Sequence, residues 1–87
     1  MLIYRFKNLN IKCGGQDFLV NGHATYIIED FEEDGKEAGF EQATLIDALS
    51  KDGLVTSAEC LKYIAEATIA HLNQDSHLCR SLGHKII

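Results

Sequence analysis

Carboxylate side chains are concentrated in one short stretch of this chain. Seven of the thirteen acidic residues fall within residues 29–41, where Lys36 is the only basic residue. Carboxylates at this density can bind a hard cation through their oxygens or present negative charge to a basic surface. The members of this acidic window are Glu29, Asp30, Glu32, Glu33, Asp34, Glu37 and Glu41.

The spacing inside the acidic window resembles the loop of a calcium-binding EF-hand. Acidic residues occupy loop positions one, three, five and twelve, and a glycine occupies position six, where the loop bends sharply. These residues are Asp30, Glu32, Asp34, Glu41 and Gly35. Glu32 departs from the usual Asp or Asn, and Glu37 stands where an EF-hand has an apolar residue. Calcium binding is therefore an alternative interpretation, and our main prediction is that the chain binds no metal or cofactor.

The charge of the chain is local. Residues 29–59 hold ten acidic residues against Lys36 and Lys51, a net charge of −8, although the whole chain carries only −5. The segments on either side are mildly basic. The electric field of such a concentrated charge attracts binding partners and contributes little to folding. We therefore expect the acidic window to be the partner-binding surface.

Histidine and cysteine side chains gather near the C-terminus at irregular spacings. Structural zinc sites usually show tight pairs such as Cys-x-x-Cys, and no such pair is present. The cysteines are odd in number and suggest no disulfide framework, which favours a reducing cytoplasmic location. The potential ligands in this region are His71, His77, Cys79 and His84.

No residue pattern predicts catalysis or nucleic-acid binding. Gly14-Gly15 is not followed by the Lys-Ser/Thr of a phosphate loop, and exposed carboxylates lack the burial that separates an acid from a base. Arg5, Lys7 and Lys12 alternate with aromatic residues, but a pI near 5.2 and the acidic centre oppose binding to phosphates. We therefore predict a non-enzymatic protein without direct nucleic-acid contact.

The first half of the sequence predicts antiparallel strands. Asn-Gly and Asp-Gly dipeptides between apolar runs are strong hairpin signals, because their turns need positive φ. They predict hairpins at Asn21-Gly22 and Asp34-Gly35. Residues 41–50 fit either a strand or a short helix, and we favour a strand. The predicted strands cover residues 2–8, 17–20, 24–33 and 40–48.

The second half predicts a helix over residues 57–73. Thr56 and Glu59 match a capping box, and apolar residues then recur at helical spacing. A short second helix is predicted over residues 76–82. The expected fold is a single α+β domain over residues 1–87, with three to four antiparallel strands packed by one long C-terminal helix.

These features predict a protein-binding module. We expect it not to associate with membranes, since no apolar segment has the length of a membrane span. A row of carboxylates can occupy a groove that normally holds phosphates. The hypothesis is an inhibitor, of the kind that phages and mobile elements encode, that occludes a basic nucleic-acid-handling surface such as that of a CRISPR effector. The second alternative is a structural or regulatory domain that forms a homodimer through helix 57–73.

Overall fold

The computed structural model describes residues 2–31 and 35–86, which form one antiparallel sheet and two helices. The spatial order of the strands follows the chain, β1-β2-β3-β4. This confirms the predicted α+β class with a small antiparallel sheet. The elements are β1 (Leu2–Cys13), β2 (Gln16–Phe31), β3 (Gly35–Ser50), β4 (Gly53–Leu54), α1 (Ala58–Gln74) and α2 (Ser76–Ile86).

The first hairpin turns at Gly14-Gly15, and the prediction of a turn at Asn21-Gly22 is wrong. Gly14 and Gly15 have φ of 59° and 79°, and Cys13 pairs with Gln16 across the turn. Positive φ at both central residues is what a two-residue hairpin turn of type I′ requires, and glycine adopts it without steric cost. β1 and β2 are therefore longer than the predicted strands 2–8 and 17–20.

Asn21 and Gly22 lie inside β2, opposite bulges in both neighbouring strands, and do not form a turn. The register of β2 against β3 shifts between them, and β1 shifts opposite them, where Asn8 has a φ of 52°. The Asn8 amide donates to the Asn21 side-chain oxygen at 2.9 Å, and the Asn21 side chain donates to Asp47 at 2.6 Å. A single asparagine thus stabilises irregularities that lie side by side on adjacent strands.

The second hairpin is found where it was predicted. Phe31 pairs with Gly35, so the connection is residues 32–34, and Asp34 itself lies outside the described residues. Residues 41–50 are strand and belong to β3. Two bulges in β3, at Glu41 and Ile46, interrupt its period of two and explain why the apolar spacing there also resembled a helix.

One face of the sheet packs against the helices and forms the core. The rings of Tyr26 and Phe40 meet edge to face with centroids 5.1 Å apart, and the Tyr26 hydroxyl donates to the Cys79 carbonyl of α2 at 2.9 Å. The buried apolar residues of the core are Phe6, Ile11, Val20, Ala24, Tyr26, Phe40, Ala48, Ile64, Leu72 and Leu82.

Helix α1 begins one residue later than the capping box predicted. Ser57, not Thr56, is the N-cap, and its hydroxyl oxygen accepts from the Cys60 amide at 3.3 Å. The predicted apolar stripe does face the sheet, with Ile64, Thr68 and Leu72 buried. The buried hydroxyl of Thr68 has a hydrogen-bond partner, because it donates to the Ile64 carbonyl at 2.7 Å.

The C-terminal region is two helices and not one long helix. α1 ends at Gln74, and the Asp75 side chain accepts from the Leu78 amide at 3.0 Å at the start of α2. The second helix, predicted over residues 76–82, begins as predicted and continues past Gly83 to Ile86. Aspartate at this position favours a new helix start over continuation of the first.

Candidate protein-binding surface

The β2–β3 hairpin extends beyond the remainder of the sheet as a two-stranded ribbon. β1 pairs with β2 only as far as Leu2↔Tyr26, and among the described residues the pairing beyond this point involves β2 and β3 alone. We call residues 27–39 the acidic arm. The five residues from Ile27 to Phe31 give it a length of about 17 Å before the connection. The molecule is correspondingly elongated, with extents of 47 × 21 × 18 Å.

The acidic arm contains most of the predicted partner-binding residues. Glu29 lies directly opposite Glu37, and Asp30 lies opposite Lys36. Glu41 is exposed in β3, at the bulge beside the base of the arm. The other three predicted residues, Glu32, Glu33 and Asp34, lie outside the described residues.

The strand register does not bring together the two ends of the EF-hand-like pattern. Asp30 pairs with Lys36, whereas Glu41 lies next to the Tyr26↔Phe40 pair. These levels are four residues apart along β2, which corresponds to about 13 Å. The oxygens that coordinate one calcium ion lie within about 2.6 Å of it, so two carboxylates this far apart do not share an ion. Within the described part of the chain, no three His, Cys, Asp or Glu residues are arranged to hold a metal.

The C-terminal histidines and cysteine do not form a common site in the described residues. His71 and His77 are exposed, and His84 lies in α2. Cys79 is half-buried, and its thiol donates to the Leu72 carbonyl at 3.5 Å. Burial, with a smaller contribution from Asp75, raises the pKa of Cys79, so its thiol stays protonated and acts as a packing group.

The sheet separates the basic residues of β1 from its aromatic residues. Arg5, Lys7 and Lys12 are exposed on the face turned away from the helices, which we call the outer face. Phe6 is buried on the opposite face, where Tyr4 packs against Phe40 with ring centroids 5.8 Å apart. These aromatic rings are therefore not placed to stack bases beside the basic residues.

The outer face also carries apolar side chains that the sequence pattern did not identify as surface. Ile3 is 52% exposed, and Ile46 is turned outward by its bulge to 76% exposure. Leu19 pairs with Leu49, and Leu49 pairs with Leu54, so three exposed leucines form a row across β2, β3 and β4. Only the strand register shows that these leucines are neighbours.

A second feature missed by the sequence reading is an open groove between α1 and the first hairpin. It has a volume of about 680 Å³ and is lined by residues from both elements, including Cys13, Phe18, Cys60 and Tyr63. All three cysteines of the chain are free thiols. Cys13 and Cys60 lie far apart in the sequence, and no spacing rule could have placed them on one groove.

Two further properties of the chain concern membranes and similarity to known proteins. Neither helix in the described ranges combines the length and hydropathy needed to cross a membrane. Comparison of the chain with protein-family models, with curated proteins and with solved structures finds no match.

Proposed function

We propose that the protein is a non-enzymatic binding module whose acidic arm occupies a basic surface of another protein. The observation that supports this is that Glu29, Asp30 and Glu37 lie where, among the described residues, only β2 and β3 pair. A more specific form of the proposal is an inhibitor, encoded by a phage or mobile element, that blocks a nucleic-acid-handling host protein such as a CRISPR effector.

The charge of the arm supports binding in place of nucleic acid. Residues 27–39 contain six acidic residues and Lys36, a net charge of −5. The acidic residues of the arm that the structure describes are Glu29, Asp30 and Glu37, and Glu29 and Glu37 lie opposite each other. Such a concentration of carboxylates can occupy a groove that normally holds phosphates.

One cross-strand pair of the arm is unfavourable for the hairpin itself, although Asp30 opposite Lys36 is a favourable pair. Glu29 lies opposite Glu37 on neighbouring strands, and like charges at directly opposed positions destabilise an antiparallel pair. A partner with a basic surface would relieve this repulsion on binding. The same charges would accelerate association at low salt more than they would increase affinity.

The test is displacement of nucleic acid from purified basic-groove proteins. Labelled nucleic acid bound to a CRISPR effector, a DNA nuclease or RNA polymerase is titrated with the protein at several salt concentrations. For at least one target, we expect displacement by the wild type. The triple variant Glu32→Ser, Glu33→Ser and Asp34→Ser should be at least about tenfold weaker and show a flatter salt dependence.

A matched control removes the same charge from elsewhere on the surface. The variant Asp52→Ser, Glu59→Ser and Glu66→Ser changes three exposed acidic residues outside the arm. It should displace nucleic acid as the wild type does. Equal loss in both triple variants would assign the effect to net charge, and failure of the wild type with every target would remove the inhibitor proposal.

A further inference from the structure

The edge of the sheet at β1 can accept a further strand. Within the described ranges, β1 pairs with β2 alone. Cys13 and Gln16 flank the two-residue turn, so their backbone groups hydrogen-bond to each other. Because hydrogen-bonded pairs alternate with non-bonded pairs along an antiparallel ladder, the N–H and C=O groups of Asn10 and Lys12 point away from β2. Such an edge is a template for pairing with another chain.

The groove between α1 and the first hairpin lies beside this edge. Cys13 lines the groove from β1 itself, and Tyr63 and Ala67 line it from α1. Tyr63 is 54% exposed, and Cys13 and Phe18 are only partly buried. α1 therefore leaves apolar surface open next to β1, on the face of the sheet that packs against the helices. Pockets in this position hold alternate side chains where a peptide binds by adding a strand.

The charge of β1 determines which strand it accepts. β1 contains three basic residues and no acidic residue, and Arg5, Lys7 and Lys12 are all exposed on the outer face. Beside the β1 strand of a second copy, these side chains would meet like charges, which destabilise a strand pair. Acidic side chains on an added strand would instead form favourable cross-strand pairs. The charge therefore favours an acidic partner over a second copy.

The irregularity at Asn8 limits the length of the added strand. The register of β1 against β2 shifts between Phe6 and Leu9, and Asn8 has a φ of 52°. The regular part of the edge is therefore residues 9–13, which span about 17 Å. This part includes Lys12 and, through Cys13, adjoins the groove.

We infer that β1 binds an extended segment of another protein in which apolar and acidic residues alternate. Such a segment pairs with residues 9–13 and continues the sheet by one strand. Because successive side chains of a strand point to opposite faces, its apolar side chains enter the groove and its acidic side chains lie beside Lys12. The inference does not depend on the proposed function, since Gln16 at this site and Ile27 at the start of the acidic arm are about 35 Å apart along β2.

The experiment is an NMR titration with a capped peptide of alternating Val and Glu, about seven residues long, enough to cover the regular edge. Binding should protect the amides of Asn10 and Lys12 from hydrogen exchange, because these N–H groups gain partners. The amide of Ile11 already points to β2 and should gain no protection. A control peptide has the same composition but groups its Glu residues at one end. It should bind at least about fivefold more weakly, because it cannot direct apolar and acidic side chains to opposite faces.

Backbone methylation of the peptide tests strand pairing without any change to the protein. Only alternate residues of an added strand direct their N–H groups at β1. In one peptide the Val amides are N-methylated, and in the other the Glu amides. One of these peptides should lose binding and the other should retain it. Equal effects of the two methylations would overturn the inference, because a contact made by side chains alone does not distinguish them.

Two variants test the side-chain contacts. Lys12→Glu should weaken binding of the alternating peptide about threefold to tenfold, since a like charge replaces an opposite one. Arg80→Glu, the same charge change at an exposed position on α2, should bind as the wild type does. Tyr63→Ala should weaken binding at least about fivefold because it removes one wall of the groove. Its control is Ile46→Ala, which removes an exposed apolar side chain outside the groove and should have no effect.

Other occupants of the edge would give different results. Tighter binding of a single-stranded oligonucleotide than of the alternating peptide, abolished by Lys12→Glu, would assign the basic residues to phosphates and overturn the inference. A dimer of the wild type that the alternating peptide cannot dissociate and that protects Asn10 and Lys12 would assign the edge to a second copy. Absence of protection with every peptide would also overturn it. Lys12→Glu retains the acidic arm, so nucleic-acid displacement by this variant tests the proposed function separately.

Discussion

At the scale of single residues, Gly22 is the glycine at which the fold least tolerates an added side chain. A Cβ built there would overlap the Thr44 carbonyl oxygen and lie 3.0 Å from the Leu45 Cα. Both atoms belong to the backbone of β3, so they cannot move aside as a flexible side chain would. The bulge between β2 and β3 depends on this close approach.

We therefore predict that Gly22→Ala destabilises the protein by about 2–4 kcal/mol, in the range of mutations that force a backbone shift in a packed region. The control is Gly14→Ala, where the added Cβ meets open space and only the positive φ of 59° is unfavourable. That control should cost about 1 kcal/mol. Urea unfolding measures both, and a Gly22→Ala variant no less stable than the control would contradict the close approach.

The same residues show why the sequence misplaced the first turn. Asn-Gly suits a two-residue turn because both residues tolerate positive φ. Here the same two residues lie beside bulges, where the Asn21 side chain forms hydrogen bonds and Gly22 allows the backbone of β3 to approach closely. The Gly14-Gly15 pair offers equal freedom and is the turn in fact. Local sequence propensity identifies which dipeptides can form a hairpin turn. The pairing of the whole strand determines which of these dipeptides forms it.

At the scale of elements, one side chain attaches α1 to the sheet near the base of the acidic arm. Asn73 accepts from the Phe40 amide at 2.7 Å and donates to the Phe40 carbonyl at 3.1 Å. Phe40 adjoins the Glu41 bulge, where the regular hydrogen bonds of the β ladder are interrupted. The sequence marks Asn73 only as a weak helix former, because its partner is 33 residues away.

Asn73→Ala should lower the free energy of unfolding by about 1–3 kcal/mol, since both polar backbone groups of Phe40 lose their partner. Gln74→Ala is the control, because Gln74 is exposed and adjacent on the same helix. Its stability should stay within about 0.5 kcal/mol of the wild type. Equal midpoints for the two variants in urea would show that Asn73 does not hold the helix on the strand.

At the scale of the whole molecule, the described core lies in one part of the fold, and the acidic arm extends from it. The sequence predicted the class, the second hairpin and the buried stripe of α1, because these follow from local periodicity and composition. It could not predict that, among the described residues, the pairing of β1 with β2 ends at Leu2↔Tyr26 while that of β2 with β3 continues to Phe31↔Gly35, since strand pairing is a long-range property. The row of outer-face leucines likewise depends on strand pairing, and the groove depends on the packing of α1 against the first hairpin.

This division predicts that the arm can be removed without unfolding the body. Ile27 and Gly39 are a directly opposed pair, so residues 28–38 can be replaced by Asn-Gly, which closes a two-residue hairpin at this level. The deleted segment holds the whole net charge of the arm, so the formal charge of the chain changes from −5 to zero. The buried core residues that the structure describes all lie outside it.

The shortened protein should melt cooperatively within a few degrees of the wild type, because it retains every described residue of the core. It should also lose nucleic-acid displacement, since the proposed function assigns that activity to the arm. Circular dichroism and calorimetry measure the first outcome, at a pH away from the new isoelectric point to maintain solubility. A body that unfolds without the arm would show that the ribbon stabilises the sheet, and its negative charge would then need no binding partner to explain its position.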